Sequence, residues 1–208
     1  MTRLVWDMDG TLLDSTEVVP DAFVETVRDL GVDGIDREKV VAAYSLGVPE
    51  VMLRHLVGRT LEDREIDLYY DRLLEGSVAP YDGVLETLDT LRQRGLPVVI
   101  FTGASSRAAR TLLASAGIQF DILVGGDHVV RPKPAPDGIL EAAKRLSVAP
   151  EDVVYIGDAP TDLQAARSAG ARGAAATWGH LYQRDAPADI CLRAPHDALA
   201  LLATHDGP

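Results

Sequence analysis

"VWDMDGTLLDS", residues 5–15, sets two carboxylates, Asp7 and Asp9, two positions apart at the end of the first apolar run of the chain. Alternation along an extended chain sends residues i and i+2 to the same face, so both carboxylates project together from a strand end. Two adjacent anions repel, and the pair becomes tolerable only beside a cation, a shared proton or open water. Gly10 and Thr11 directly afterwards mark a turn. A polar turn after a buried strand explains this segment equally well on its own, so the choice depends on what else the chain brings to that strand end.

Beyond residue 80 a short β-rich run alternates repeatedly with an amphipathic segment. "LPVVIFTG" (96–103), "FDILVGG" (120–126), "DVVYIGD" (152–158) and the Ala-rich "ARGAAATWG" (171–179) read as buried strands. Leu85, Leu88 and Leu91 space a helix ahead of Pro97. Residues 106–116 end at Gly117, residues 137–146 follow Pro136, and residues 160–169 end at Gly170, all with helical spacing. The alternation predicts an α/β fold, a Rossmann-like parallel sheet with helices on both faces. Ligands in such folds bind at the carboxyl ends of strands, where Asp7, Thr102 and Asp158 all fall.

Residues 16–78 break this pattern. "EVVPDAFVETVRDLG", "REKVVAAYSLGVPEVMLRHLVG" and "LEDREIDLYYDRLLEG" show helical spacing with no strand between them. They predict a helical cap (16–78) inserted into a core made of residues 1–15 and 79–208, with hinges at 12–16 and 77–82. The last residues, "THDGP", are expected to fray.

Composition sets the limits. A chain of 208 residues, 47% of them hydrophobic, can bury a full core and carry an insertion. Twenty Lys plus Arg against 32 Asp plus Glu give a net charge of −12, which disfavours nucleic acid and anionic membrane as partners. Any phosphate-bearing substrate must therefore be drawn in by local groups or a metal. Cys191 is the only cysteine and reads as a small core residue. No charged leader or apolar run of the ~20 residues needed to span a bilayer is seen, so a cytoplasmic protein is expected.

Four separated stretches act together: "DMDGT" (7–11), "FTG" (101–103), "RPKPAPDG" (131–138) and "GDAPTD" (157–162). Their order and spacing on an alternating scaffold resemble the haloacid dehalogenase (HAD) superfamily, in the branch with a helical cap after the first motif. Within it, "YDGVLETLDTLRQRGLPVVIFTG" and the stretch from "RPKPAPDG" through "QAARSAG" look most like the phosphoglycolate-phosphatase-like hydrolases. The resemblance implies a magnesium-dependent phosphatase acting on a small phosphorylated metabolite, phosphoglycolate-like or a sugar phosphate. Asp7 would be the nucleophile that forms an aspartyl-phosphate, and Asp9 the general acid and base whose backbone carbonyl also reaches the metal. Thr102 and the Gly103 amide would hold phosphate oxygens, with Lys133 compensating charge on both nucleophile and phosphate. Asp158 would ligate magnesium, and Asp162, one helical turn later, would orient the metal waters or Lys133. Hard oxygen ligands suit that ion, and a phosphate dianion cannot be approached by a carboxylate without such neutralisation.

Each of these residues has a plainer reading alone: Thr102 a strand end, Lys133 a solvated lysine, Asp158 and Asp162 helix caps. Flanking prolines at 132 and 134, however, stiffen the backbone around Lys133. Trp6 reads as core, His55 as a surface or partly packed residue, and Arg54, Arg59 and Arg64 as solvated charges. His180 either borders the site or faces solvent. Dehalogenation is disfavoured by Asp9 and by the acidic last motif, and a phosphonate hydrolase by Lys39, the only cap lysine, which looks exposed. A β-phosphoglucomutase-like phosphomutase is the nearer rival. Such mutases carry an arginine shortly after the cap glycine, whereas Gly47 is followed by Val48, Pro49 and Glu50. A non-catalytic phosphometabolite-binding module is the other alternative. Tyr44, Gly47 and Arg54 are candidates to line the cap, and monomer and homodimer both stay open.

Overall fold

In the computed structural model, which describes residues 1–202, the first apolar run forms β1 (Arg3–Trp6). Two two-residue strands, β2 (Leu13–Asp14) and β3 (Ala79–Pro80), pair antiparallel. Between them stand α1 (Val18–Asp29), α2 (Arg37–Ala43), α3 (Pro49–Val57) and α4 (Asp63–Glu75). The chain then alternates: α5 (Val84–Gln93), β4 (Val99–Phe101), α6 (Ser106–Ser115), β5 (Ile122–Val124), α7 (Asp137–Leu146), β6 (Val153–Gly157), α8 (Pro160–Ala169) and β7 (Arg172–Ala176). A short β8 (Ile190–Leu192) and a 3-10 helix over Pro195–Leu202 complete the described residues. None of their helices is long and apolar enough to cross a membrane.

The main sheet runs β5-β4-β1-β6-β7-β8, every pairing parallel. Period-two alternation divides its side chains between two apolar layers. Leu4, Trp6, Ile100 and Ile156 join the layer built with Leu88 of α5 and Leu112 of α6. Val5, Phe101 and Tyr155 join the opposite layer with Ile139 of α7 and Ala166 of α8. Register decides where the chemistry gathers: Trp6 stands opposite Ile100 on one side and Ile156 on the other. Asp7, Thr102 and Asp158 therefore leave three adjacent strands within about one residue of the same level.

The expected strands and helices form, with shorter strands than the sequence suggested. The stretch 37–57, read as continuous helical spacing, is broken: a 3-10 turn over Tyr44–Leu46 ends at Gly47, whose φ of 107° suits only glycine, and α3 starts afresh at Pro49. Leu85 is solvent-facing; Val84, Leu88 and Leu91 form the buried stripe of α5. Cys191 is also exposed, a correction to its reading as core, because on β8 its neighbour Leu192 takes the inward position. Strands β2, β3 and β8 were not anticipated. The expected fraying of "THDGP" lies outside the described residues.

Candidate active site

The sheet's carboxyl edge gathers the four motifs. Lys133 Nζ lies 2.7 Å from Asp7 Oδ1, 2.7 Å from Asp162 Oδ1 and 3.1 Å from the Tyr155 hydroxyl, so its three donors have three acceptors. The Lys133, Asp7 and Asp162 side chains are 13%, 5% and 1% exposed. Burial alone would lower the Lys133 pKa, but Asp162 and then Asp7 more than offset it and the ammonium is held well above its usual range. Asp7 shares that single cation with Asp162, and burial pushes it well above the usual carboxylate range against the pull of Lys133.

Asp9 stands to one side of this pair. Its Oδ1 accepts from Ser15 Oγ at 2.6 Å and its Oδ2 from Thr102 Oγ1 at 3.5 Å, while Ala104 N–H donates to the same threonine oxygen at 3.1 Å. Burial raises Asp9, with the Ser15 bond opposing. Gly103 follows directly, and its amide makes no hydrogen bond to any described residue.

The third strand end brings Asp158, 1% exposed. Leu181 N–H donates to its Oδ2 at 2.8 Å, whereas its Oδ1 is buried without a hydrogen-bond partner. Desolvation raises its pKa. The loop after β7 folds over it: Trp178 Nε1 donates to Thr11 O at 2.9 Å, and Gly179 packs so tightly that a Cβ there would sit 2.2 Å from Asp158 Cβ. Gly10 is equally constrained, with φ +80° and Asp158 Oδ2 2.3 Å from where its Cβ would stand.

Oxygens of Asp7, Asp158 and Asp162 lie within 4.8 Å of one another. Asp162 is largely committed, with Oδ1 on Lys133 and Oδ2 accepting Ala159 N–H at 3.0 Å. Asp7 and the orphaned Asp158 oxygen are the better placed for a cation. Four carboxylates, Asp7, Asp9, Asp158 and Asp162, face one ammonium. An all-oxygen donor set with excess negative charge and an unsatisfied buried oxygen fits a hard divalent ion such as magnesium.

The seven residues given roles at the phosphate and metal, Asp7, Asp9, Thr102, Gly103, Lys133, Asp158 and Asp162, all stand at this one edge. Reasoning from sequence missed Tyr155, which donates to Phe101 O at 2.9 Å and stands between Lys133 and Asp7, and it missed Ser15. Ser15 lay within the motif itself, where its spacing from Asp9 was the available signal. His180 borders the site: it is exposed, and its Nδ1 is 3.5 Å from the Tyr81 hydroxyl. His55 and Arg54 are exposed, Arg59 pairs with Glu65, Arg64 with Glu62, and Lys39 reaches Gly34 O, so the plain readings of these residues hold. Trp6 is fully buried.

The chain is similar to known proteins over nearly its whole length. The haloacid dehalogenase-like hydrolase family model matches residues 1–170. A phosphoglycolate phosphatase of Aquifex aeolicus is 26% identical over 99% of this chain and 98% of its own. An N-acetylmuramic acid 6-phosphate phosphatase of Pseudomonas aeruginosa is 31% identical over 97% of this chain and 95% of its own. Among solved structures, CbbY of Rhodobacter sphaeroides in complex with phosphate superposes with a TM-score of 0.80 at 25% identity, covering 95% of this chain and 96% of that one.

Proposed function

The chain belongs to the haloacid dehalogenase-like hydrolases, and from that premise we propose that it is a magnesium-dependent phosphatase hydrolysing a small phosphomonoester, phosphoglycolate-like or a sugar phosphate, through an aspartyl-phosphate. The observation that carries the reading is the buried Lys133 ammonium bridging Asp7 and Asp162 beside the unsatisfied Asp158 oxygen. Relatives that span nearly the whole chain and are named as phosphatases support it.

In this reading Asp7, the backbone carbonyl of Asp9 and Asp158 hold magnesium, with Asp162 supporting; the ion supplies positive charge against the phosphate oxygens. The Thr102 hydroxyl and the free Gly103 amide bind phosphate, and Lys133 offsets charge on nucleophile and phosphate together. An Asp7 oxygen attacks phosphorus as the ester P–O bond breaks, and Asp9, raised by burial, gives its proton to the leaving oxygen. Asp9 then takes a proton from water as that oxygen attacks phosphorus, which frees inorganic phosphate and restores Asp7. Residues 16–78 act as a cap over a core of residues 1–15 and 79–208, excluding bulk water and selecting the leaving group. A cytoplasmic location accords with this role.

Hydrolysis is preferred over phosphomutase chemistry because Glu50, not a cation, follows Gly47, and its carboxylate accepts from Tyr70 where the cap meets the core residue Ser105. The test is inorganic phosphate release from phosphoglycolate, hexose phosphates, N-acetylated amino-sugar phosphates, nucleoside monophosphates and an aryl phosphate, with and without magnesium. Magnesium-dependent release that Asp7→Asn abolishes is expected. Release from none of them overturns the phosphatase reading and favours a binding module.

A further inference from the structure

Tyr70 lies on α4 and is 1% exposed. Its hydroxyl has partners in two separate parts of the chain: Glu50 near the start of α3, and Ser105 Oγ, 2.9 Å away, at the N-cap of α6. A phenol carries one proton. An ionised carboxylate only accepts, so that proton goes to Glu50, and Ser105 must donate to the phenol oxygen. Ser105 Oγ meanwhile accepts the Ala108 amide at 3.2 Å. The row Ser105, Tyr70, Glu50 thus has every proton assigned, in a seam where an unmade bond would leave a buried polar group.

The core end of this row is the loop proposed to bind phosphate, since Thr102, Gly103, Ala104 and Ser105 are consecutive and Ala104 N–H is tied to Thr102 Oγ1. Other contacts cross the same seam. The Arg107 guanidinium lies 3.8 Å from the centroid of the Tyr70 ring and pairs with Asp67 at 2.6 Å. Val48 Cγ1 stands 3.2 Å from where a Cβ on Gly126 would be. Burial, and then the bond to Glu50, raises the Tyr70 phenol, so its proton stays in place across ordinary pH.

We propose that Tyr70 is the latch that docks the cap onto the phosphate-binding loop, a positioning residue that holds cap and loop in the register turnover requires. This rests on the phosphatase reading. A latched cap keeps competing nucleophiles from the aspartyl-phosphate. With the latch loosened, an alcohol oxygen can attack phosphorus in place of water, giving an alkyl phosphate, releasing Asp7 and passing its proton to Asp9.

Tyr70→Phe keeps the ring, its packing on Tyr69 and its contact with Arg107, and removes only the hydroxyl. On the best substrate of the panel, kcat is expected to fall about tenfold, the effect of one to two lost hydrogen bonds. The ratio of glycerol phosphate to inorganic phosphate formed in added glycerol should rise. Glu50→Gln, which still offers a carbonyl to the phenol, should stay near wild type, while Glu50→Ala should resemble Tyr70→Phe. An unchanged glycerol ratio in Tyr70→Phe, whatever happens to its melting temperature, overturns the latch. Amide hydrogen exchange reads the same seam without turnover: faster exchange over residues 104–108 and at the start of α3 is expected in Tyr70→Phe, and no change overturns the proposal. Absence of turnover by wild type on every substrate would count against the phosphatase reading alone.

Discussion

Asp158 is a carboxylate held where its charge is disfavoured: buried, one oxygen unpartnered, with Asp162 adding repulsion. Asp158→Asn keeps the shape and an acceptor for Leu181 N–H while removing that charge. The melting temperature of the metal-free protein should therefore rise by roughly 3 °C, as about 1 kcal/mol would give a domain of this size. Added magnesium is expected to raise the melting temperature of wild type and to leave that of Asp158→Asn unchanged. A lower metal-free melting temperature would contradict this account of the site. At this scale the sequence was informative for the charged and phosphate-facing residues of the motifs, but not for the residues that support them, Ser15 within the first motif included. Tyr155 reads as ordinary strand filler, because its part in the site depends on Phe101 and Lys133, 54 and 22 residues away. The partners of Asp158 are equally remote, since Leu181 comes from a loop after a different strand.

Helix α4, which presents Tyr69 and Tyr70, is fixed at its start by Glu65, whose carboxylate reaches back to accept the Glu62 N–H at 2.8 Å. The Arg59 hydrogen bond, and then the Glu62 amide, hold Glu65 down to about 2 from its ordinary 4.5. A depressed carboxylate contributes stability above its unfolded pKa and loses it as pH falls through the folded one. Glu65→Gln should therefore be less stable than wild type at neutral pH, with the gap closing between pH 4.5 and about 2. Urea unfolding at several pH values checks this; a gap that widens on acidification would refute it. Elements of about ten residues were readable from periodicity, but those set by contacts were not. Strands β2 and β3 have two residues each, one of them Pro80, which leaves no alternation to see. The break at Gly47 escaped because Val40, Ala43, Met52 and Leu53 all remain buried across it, so the apolar spacing continues through the kink.

For the molecule as a whole, alternating strands and helices foretold a parallel sheet, and four motifs foretold one site. Strand order was not readable, since nothing local says that β1 lies between β4 and β6. That order brings together residues more than 150 positions apart. Net charge acts at the same scale. At −12 the protein repels a phosphate dianion beyond the reach of Lys133. Raising ionic strength from about 0.01 M to about 0.15 M shortens the Debye length from about 30 Å to about 8 Å. With magnesium saturating, kcat/KM should hold or rise over that range; a steep fall would mean that a local positive field governs capture.

The pairing of β2 with β3, Leu13 opposite Pro80 and Asp14 opposite Ala79, brings the start and finish of the helical segment side by side. Paired strands hold their backbones about 5 Å apart, so everything between those two points leaves the sheet and returns through one narrow port. The sheet, the four motifs and their spacing do not depend on what passes through it. A segment of another length, or another fold, could be grafted there provided its own ends meet, and the sheet would keep its order and its edge of motifs while the seam with Ser105 and Arg107 would have to be built anew.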